Sequence, residues 1–390
     1  MWWISFLHLY QPASIESFIV EEAVKKSYRR IVQLLEKKTE LKMTMNISGC
    51  LLERLNDEAY FDLINRIKKI IESGRLELVG SASFHGFLAL LPEDEIEYQI
   101  KHQEEILKKL FNLKRPKGFF IPEMAYHPKI TKIVKKLGYE WLILDEISYN
   151  EPETINNQRV YKDKESGLKI IFRQKEYSGI YPPDKLKELR RKKDLPSVII
   201  NAVDGELYGL RHLDPKAELE RIVFWSNLKT ATISEFIDKE KELKDCSLRK
   251  SSWESTIEEL EDDNPYALWS DKNNEIHKKL WNLANFIISA GLKDKEDKGY
   301  SDYRWHLDRG LASCWFWWAS AYDFSRNYGP LAWSPDQIER GLNDLIRAVR
   351  SLNNIERLED KIIAENLVAD LRKIIWQTHW QNYWSKVNNL

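Results

Sequence analysis

Short apolar runs alternate with amphipathic stretches over the first half of the chain. Seven of these runs are predicted to be strands: 2–7, 41–47, 76–79, 118–121, 141–144, 169–172 and 198–203. Apolar residues recur at helical spacing between them, in segments 21–38, 60–73, 94–111 and 129–137. Strands that alternate with helices predict right-handed crossovers and a parallel sheet. Seven such strands favour a closed, barrel-like sheet over an open, doubly wound one.

The strand pattern stops after about Pro215, and helical patterns dominate the rest of the chain. These patterns cover 217–226, 274–289, 303–326, 335–351 and 354–385. We therefore predict a barrel domain over residues 1–235 and a C-terminal helical domain over 236–390. The stretch 238–263 is dense in charge and is expected to contain exposed helix and loop.

Charge and cysteine content narrow the class of partner. The chain has 60 Lys and Arg residues against 61 Asp and Glu residues, so no net field attracts nucleic acid or an anionic membrane. No apolar run is long enough to span a bilayer, and the amino terminus lacks the pattern of a signal peptide. Three separated cysteines indicate neither a disulfide framework nor a metal site. The sequence thus predicts a cytoplasmic protein with a neutral partner such as a sugar.

The aromatic content agrees with a sugar partner. The chain has 15 Trp and 17 Tyr residues. Their rings could stack on the apolar faces of sugars, or they could fill a large helical core. The composition does not separate these two uses.

Polar side chains follow nearly every predicted strand at its carboxyl end, where parallel barrels carry their chemistry. In strand order, these residues are His8, Gln11, Asn46, Ser48, Glu53, His85, Glu123, Asp145, Glu146, Asp204 and Glu206. Because the carboxyl ends of barrel strands meet at one face, the pattern predicts a single site there.

Two carboxylates stand out among these residues. Glu123 leaves an apolar strand directly after Pro122, which is a plausible strand terminator. Asp204 leaves another and is followed by Gly205, which permits a tight turn. Two carboxylates in one pocket can divide the roles of acid and nucleophile, which is the minimum equipment for glycosidic cleavage. The same pair could also bind a divalent metal.

At these residues the sequence resembles glycoside hydrolase family 57. The resemblance is spread over about residues 1–350, in motifs that occur in order. The matching segments are 8–12, 48–53, 77–80 with 85–92, 118–128, 204–209 and 307–318. One departure is Tyr10, which stands where the family usually has a second histidine.

The resemblance implies a distorted (β/α)7 barrel followed by an α-helical bundle. It also implies a retaining mechanism on α-glycosidic bonds, with Glu123 as nucleophile, Asp204 as acid/base and neither metal nor cofactor. The most plausible substrates are α-glucans or malto-oligosaccharides. The donor sugar, the balance of hydrolysis and transfer, the chain-length preference and the oligomeric state are not readable from the sequence.

A wider set of residues is predicted to contact the substrate: His8, Tyr10, Gln11, Glu53, His85, Asp145, Glu206, His212, Trp253, Trp315 and Trp317. For Asp145 a structural role is an equal alternative. The segment 315–318 is four consecutive aromatic residues, and a helix rotates about 100° per residue. At least one of them is therefore expected to pack in the bundle core, while others reach the cleft.

Two other functions compete with this interpretation. A metal-dependent carbohydrate deacetylase or mannosidase-like barrel enzyme would need clustered Asp and His ligands. The sequence shows no His pair at ligand spacing on one helix face, although His8 with Asp145 or Asp204 could form part of such a site. A non-catalytic carbohydrate-binding protein is the second alternative, against which the presence of both Glu123 and Asp204 argues.

Overall fold

The structure of the chain, a computed structural model, describes residues 1–58, 60–156, 158–240, 242–293, 295–322 and 331–388. At the carboxyl end, side chains are described as far as Trp384. The chain divides into two compact units. The first contains Met1–Ser83 and Pro92–Trp253, and the second contains Phe84–Leu91 and Glu254–Leu390.

The described residues form ten strands, all in the first unit. They are β1 (Trp2–Leu9), β2 (Met43–Ile47), β3 (Leu76–Leu78), β4 (Gly118–Phe120), β5 (Trp141–Asp145), β6 (Tyr161–Asp163), β7 (Lys169–Arg173), β8 (Val198–Asp204), β9 (Lys229–Thr230) and β10 (Lys244–Cys246). The seven predicted strands correspond to β1 to β5, β7 and β8. The sequence missed the short strands β6, β9 and β10.

These seven strands form a closed, distorted barrel. One parallel sheet has the order β3-β2-β1-β8, and β4, β5 and β7 form a second parallel group. Gly80 joins the two groups past β3, because its N–H donates to the Gly118 oxygen at 2.9 Å and its oxygen accepts from the Phe120 N–H at 2.9 Å. On the other side, the Gln174 N–H donates to the Ile200 oxygen at 2.9 Å. The prediction of a seven-stranded barrel is therefore confirmed.

The boundary between the units follows Trp253, whereas the sequence predicts it at residue 235. Strand β10 lies between these positions and pairs in parallel with β6, so it belongs to the first unit. Its sequence, Lys-Asp-Cys, has the charge content of an exposed loop, and the apolar pattern therefore gave no signal for it.

Helices cover the outside of the barrel strands. They are α1 (Ser17–Ala23), α2 (Arg29–Lys37), α3 (Gly49–Asp57), α4 (Phe61–Glu72), α5 (Glu93–Phe111), α6 (Pro128–Lys136), α7 (Lys175–Ser178), α8 (Pro182–Leu189), α9 (Glu218–Val223) and α10 (Ile233–Lys239). A π turn, Val24–Tyr28, connects α1 and α2 into one continuous helix. Short 3-10 turns follow three barrel strands: Pro122–Met124, Glu146–Ser148 and Gly205–Leu207.

The described part of the second unit is helical. Its helices are α11 (Ile257–Glu261), α12 (Ala267–Ser270), α13 (Glu275–Leu292), α14 (Tyr300–Gly310), α15 (Ser313–Trp317), α16 (Pro335–Ser351) and α17 (Leu358–Asn388). Helix α16 packs on α14 and α17, and α13 packs on α17. This confirms the predicted α-helical bundle.

The predicted helix over 303–326 is broken in the structure. Helix α14 ends at Gly310, and Ala312 adopts an extended backbone that forms an antiparallel bridge with Gly86. Helix α15 then begins at Ser313. The last part of this prediction, residues 323–326, lies outside the described residues.

Along each strand, successive side chains point alternately into the barrel interior and towards the helical layer. In β1, Trp3 and Leu7 pack with the helices, whereas Ile4 and Phe6 pack inside the barrel. In β8 the residues that pack inside are Val198, Ile200 and Ala202. Because side chains alternate along a strand, the next inward positions at the carboxyl ends are His8 and Asp204.

Gly80, at the closure of the barrel, is expected to tolerate no side chain. A Cβ atom there would lie 2.2 Å from the Tyr139 hydroxyl oxygen. Gly80→Ala should therefore lower the free energy of unfolding by about 1–3 kcal/mol through overpacking, as measured by urea denaturation. Gly179→Ala is the control, since φ is −75° and the added Cβ would meet only the Lys175 oxygen at 3.3 Å. Equal losses for the two variants would contradict close packing at Gly80.

Candidate active site

His8 and Asp204 face each other across two neighbouring strands at the carboxyl end of the barrel. They are direct partners in the parallel register of β1 and β8. The charge of Asp204 acts on the His8 ring, which is buried. The alternation of apolar residues in both strands therefore brings these two predicted site residues together.

His8 is held as a neutral ring. Burial lowers its pKa to about 4, although the charge of Asp204 and the bond to Asn46 oppose the shift. Its Nδ1 lies 2.8 Å from the side-chain oxygen of Asn46. Because that oxygen accepts, Nδ1 carries the proton in this arrangement and Nε2 carries the lone pair. A neutral imidazole suits binding of a sugar hydroxyl.

Asp204 stands at the start of the turn Gly205–Leu207. Its carboxylate oxygen Oδ2 accepts from Arg211 Nη1 at 2.5 Å, and its side chain is 25% exposed. A Cβ atom on Gly205 would lie 2.7 Å from Leu9 Cδ1, so glycine is needed here for close packing. The acidic group is thus both anchored and open to solvent.

Glu123 has an unusual backbone for a residue other than glycine. It lies in the turn Pro122–Met124, directly after β4, with φ 59° and ψ 13°, and Met124 also has a positive φ of 46°. Such conformations cost about 1–3 kcal/mol each and cluster at functional sites. The Trp253 N–H donates to the backbone carbonyl oxygen of Glu123 at 3.1 Å, and this bond fixes the turn.

Aromatic contacts connect His8 to the Glu123 end of the barrel. The His8 ring lies 4.7 Å from the Phe120 ring and 6.3 Å from the Trp253 ring, measured between centroids. Phe120 ends β4, and Trp253 bonds the backbone of Glu123. Asp204, His8 and Glu123 therefore share one end of the barrel, with the imidazole between the two acidic segments. The ring of Tyr10 lies 6.0 Å from His8, roughly parallel to it.

Glu206 and Gln11 form a buried hydrogen bond with each other. Gln11 Nε2 donates to Glu206 Oε1 at 3.2 Å, and the Tyr28 hydroxyl donates to the same oxygen. Burial raises the pKa of Glu206, and the charge of Asp204 adds to this effect while Arg211 opposes it. Glu206 is therefore a buried carboxyl that depends on its hydrogen bonds.

Asp145 forms a buried ion pair. Its Oδ2 accepts from Arg173 Nε at 2.6 Å, and its Oδ1 accepts from the Ile147 N–H at 3.0 Å. Arg173 also donates to the oxygens of Ala202 and Trp253, at 2.9 and 3.1 Å. These contacts favour the alternative of a structural role over sugar contact, because the pair fixes β8 and the Trp253 segment from below.

The remaining first-unit residues of the predicted substrate set lie as follows. Glu53 is partly buried in α3. The His212 ring stacks on Tyr181 with centroids 4.2 Å apart, and its Nε2 lies 3.6 Å from an Asp184 carboxylate oxygen. Trp253 is partly buried against the barrel interior, with the Arg173 guanidinium 5.0 Å from its ring centroid.

The other three residues of that set belong to the second unit. His85 has φ 57°, and its Nδ1 lies 2.8 Å from the Ser313 hydroxyl. Trp315 is buried and donates to the Arg309 backbone oxygen at 2.7 Å, and Phe316 is buried with its ring stacked on Trp281, so these two members of the aromatic segment pack in the core. Trp317 is partly buried and meets Trp318 edge to face at 4.9 Å.

Sequence reasoning missed four residues that shape the site: Asn46 as the partner of His8, Arg173, Arg211 and Tyr28. Asn46 was noted only as a strand-end polar residue. Arg173 ends a strand, which was an available signal. Arg211 and Tyr28 depend on the course of a loop and on a π turn, for which the sequence holds no local signal.

Within the ranges that the structure describes, no group of three or more His, Cys, Asp or Glu side chains could hold a metal ion. In the same ranges, no helix is both long and apolar enough to cross a bilayer.

Comparison with known proteins agrees with this architecture. The model of a protein family described as Glycosyl hydrolase family 57 matches residues 5–244. An α-amylase of Pyrococcus abyssi is 29% identical over 143 residues, which are 37% of this chain and 21% of that protein. A 4-α-glucanotransferase of Thermococcus litoralis is 28% identical over 143 residues, with the same coverage of both chains. These matches thus span about a fifth of the length of each relative.

Solved structures share the fold over most of the chain. The Thermotoga maritima α-amylase superposes with a TM-score of 0.69 and 15% identity, covering 96% of this chain and 98% of that one. The Thermococcus litoralis 4-α-glucanotransferase gives a TM-score of 0.69 and 19% identity, covering 90% of this chain and 60% of that one. At these identities the likeness establishes the fold alone.

The neutral state of His8 predicts an acid-dependent loss of stability. The unfolded chain binds a proton at His8 below its ordinary pKa of 6.5, whereas the folded chain does so only near 4. Stability is therefore present above pH 6.5 and falls as the pH drops towards 4. His8→Gln should reduce the slope of unfolding free energy against pH in this window by about 1 kcal/mol per pH unit. Urea titrations of the wild-type protein and of His8→Gln at several pH values measure this slope. Equal slopes for the two proteins would contradict the neutral state of His8.

The Asp145 ion pair predicts a large stability loss when one partner is removed. Arg173→Met leaves a buried carboxylate without its cation and should cost about 3–5 kcal/mol of unfolding free energy. Arg350→Met is the matched control, because its pair with Glu365 is about half exposed and should be worth less than about 1 kcal/mol. Urea denaturation of both variants checks this. A small loss for Arg173→Met would return Asp145 to the group of candidate sugar contacts.

Proposed function

The chain belongs to glycosyl hydrolase family 57, and from that premise we propose that it is a retaining glycosidase or transglycosidase acting on α-glycosidic bonds of α-glucans or malto-oligosaccharides. The observation that carries the proposal is the grouping of Glu123, His8 and Asp204 at the carboxyl end of the barrel. Matched relatives named α-amylase and 4-α-glucanotransferase support the choice of α-glucans.

The proposed mechanism is a double displacement. Glu123 attacks the anomeric carbon, and the bond to the leaving oxygen breaks as Asp204 delivers a proton to that oxygen. The product of this step is a covalent glycosyl-enzyme. Asp204, now a carboxylate, then removes a proton from water or from a sugar hydroxyl, whose oxygen displaces Glu123. Two inversions at the same carbon give net retention.

The surroundings of each carboxylate support its assigned role. The left-handed backbone at Glu123, fixed by the Trp253 N–H, holds the nucleophile in one place. Asp204 is partly exposed, as a group that exchanges protons with leaving group and acceptor must be. The neutral His8 ring between them can bind a hydroxyl of the sugar without adding charge.

Further residues are proposed as sugar contacts around the cleaved bond. Tyr10, which lies beside His8, takes the place of the family's usual histidine and contributes an aromatic face and a hydroxyl in its stead. Trp253 offers a second ring beside His8. Gln11 and Glu206 act from below, through the bond that they share. For Glu53, His85, His212 and Trp317, sugar contact stays a prediction.

The compartment proposed for this activity is the cytoplasm. The cysteines Cys50, Cys246 and Cys314 form no disulfide bond with one another, which suits a reducing environment. Hydrolysis and transfer share every step up to the glycosyl-enzyme, so the site described accommodates both.

Azide rescue should separate the two carboxylate roles. Glu123→Ala and Asp204→Ala should each lower kcat on a malto-oligosaccharide by about 10³-fold or more. With an activated aryl α-glycoside, azide should give Glu123→Ala a β-glycosyl azide, because a single displacement inverts. Asp204→Ala should give an α-glycosyl azide, because azide intercepts the glycosyl-enzyme. Proton NMR of the products identifies the anomer.

Glu176→Gln serves as the control, since this exposed carboxylate also follows a barrel strand and should leave turnover unchanged. An inverted first product from the wild-type protein would overturn the retaining mechanism. If the wild-type protein cleaves no α-glycoside, the proposed activity is wrong.

A further inference from the structure

A π turn interrupts the helix that packs beside the Asp204 loop. The turn Val24–Tyr28 joins α1 to α2 without glycine or proline. The buried residues Val20, Val24, Tyr28 and Val32 recur every fourth position. In an α-helix of 3.6 residues per turn this spacing drifts by about 40° per step. The wider π turn absorbs part of this drift and keeps Tyr28 on the face towards β8.

Residues 26–30 of this helix contact the Asp204 loop, residues 205–214, at several points. Ser27 Oγ donates to the Gly205 oxygen at 2.7 Å, and the Tyr28 hydroxyl donates to Glu206 Oε1. At the far end of the loop, Arg30 Nη2 donates to Asp214 Oδ2 at 2.7 Å. The helix therefore holds the loop at both ends.

Gly209 lies between these two anchors, where the backbone of the loop comes close to the backbone of the helix. A Cβ atom at this glycine would meet the Lys26 oxygen at 2.4 Å, and its φ is +118°. The middle of the loop thus lies directly against the π turn.

Hydrogen bonds within the loop connect Glu206 to Asp204 through Arg211. The backbone N–H groups of Leu210 and Arg211 both donate to the backbone carbonyl oxygen of Glu206, at 3.1 and 2.8 Å, so the residue that Tyr28 holds by its carboxylate also fixes the turn to Arg211. Arg211 then reaches back, and its Nη1 bonds the Asp204 carboxylate at 2.5 Å. The Arg211 side chain is 39% exposed, so its orientation depends on this backbone anchor more than on packing.

Tyr28 is the contact on which the buried Glu206 carboxyl most depends. Glu206 is 1% exposed, and its carboxylate accepts from the Tyr28 hydroxyl and, at the longer distance of 3.2 Å, from Gln11 Nε2. Burial raises the pKa of both Tyr28 and Glu206, and their mutual bond raises the first and lowers the second. The hydroxyl therefore stays protonated as a donor and favours the ionised carboxylate.

We propose that Tyr28, presented by the π turn, is a positioning residue for proton transfer by Asp204, acting through Glu206 and Arg211. The inference rests on the proposed function, because it assigns Tyr28 a part in the acid–base step. Tyr28 does not touch the substrate in this account. Its hydroxyl fixes Glu206, Glu206 fixes the backbone of Arg211, and Arg211 aims the Asp204 carboxyl.

Replacing only the hydroxyl tests this chain of contacts. Tyr28→Phe should lower kcat/KM on a malto-oligosaccharide by about 10- to 100-fold, because the leaving alkoxide needs the proton from Asp204. On a dinitrophenyl α-maltoside, whose phenolate leaves without a proton, the loss in kcat/KM should be about threefold or less. The ratio of the two losses is the readout, since a general structural defect would lower both alike.

Tyr139→Phe is the matched control. Tyr139 is a buried tyrosine whose pKa is raised by burial and by the charge of Glu104, and its ring packs against Phe119 of β4. Its replacement should change stability without altering the ratio of the two substrates. Equal losses on both substrates for Tyr28→Phe, or the same ratio for Tyr139→Phe, would overturn the proposal.

Hydrogen exchange supplies a readout that does not need activity. In Tyr28→Phe the amides of residues 205–211 should exchange at least about tenfold faster than in the wild type, while Tyr139→Phe leaves them unchanged. Unchanged exchange in Tyr28→Phe would overturn the positioning role. If exchange rises as expected but the wild-type protein cleaves neither substrate, the proposed function is wrong. The role of Tyr28 is then limited to holding the loop 205–214 in place.

Discussion

The register between β1 and β8 is the constraint on which the rest of the site depends. It pairs Ile4 with Ile200, Phe6 with Ala202 and finally His8 with Asp204. The first two pairs are apolar and fill the barrel interior, so the side-chain period of two obliges the third to face inward as well. A slip of either strand by one residue would turn that strand's site residue, His8 or Asp204, towards the helical layer. The hydrophobic core thus fixes the polar site.

The two carboxylates are held by different means. Glu123 depends on a strained backbone that the Trp253 N–H fixes, and Trp253 is in turn fixed by the buried pair of Asp145 and Arg173. Asp204 depends on a loop whose ends are anchored to one helix. The proposed nucleophile is therefore held by backbone geometry, whereas the proposed acid/base group is held by a chain of hydrogen bonds. This difference suits a group that must exchange protons with two partners in turn.

Much of the fold follows from the sequence, because long apolar runs and helical spacing report burial directly. All seven barrel strands and the long helices of the bundle have such patterns, whereas the short helices α11 and α12 do not. Strand β10 does not, since Lys244 and Asp245 are exposed at the edge of a sheet. The break after Gly310 was also missed, because the apolar pattern continues through Trp315 although the backbone becomes extended at Ala312.

The candidate site was predicted in part. The sequence singles out His8, Glu123 and Asp204 because polar residues directly after apolar strands are conspicuous, and the structure brings these three residues to one end of the barrel. The sequence does not single out Arg211, since this residue reaches Asp204 only through the fold of the loop 205–214. Asp145 looked like the other strand-end carboxylates, and only the pairing with Arg173 shows that it is enclosed. Contacts between distant side chains leave no local pattern, which is why the supporting residues required the structure.

In the proposed mechanism Glu123 forms a covalent bond to the sugar. A fluorinated α-glycosyl fluoride that accumulates the glycosyl-enzyme, followed by tryptic digestion and mass spectrometry, tests it most directly. We expect a single added sugar on the peptide 118–129, in which Glu123 has the only acidic side chain. A label on another peptide, or rapid turnover of other sugars with no label at all, would contradict it.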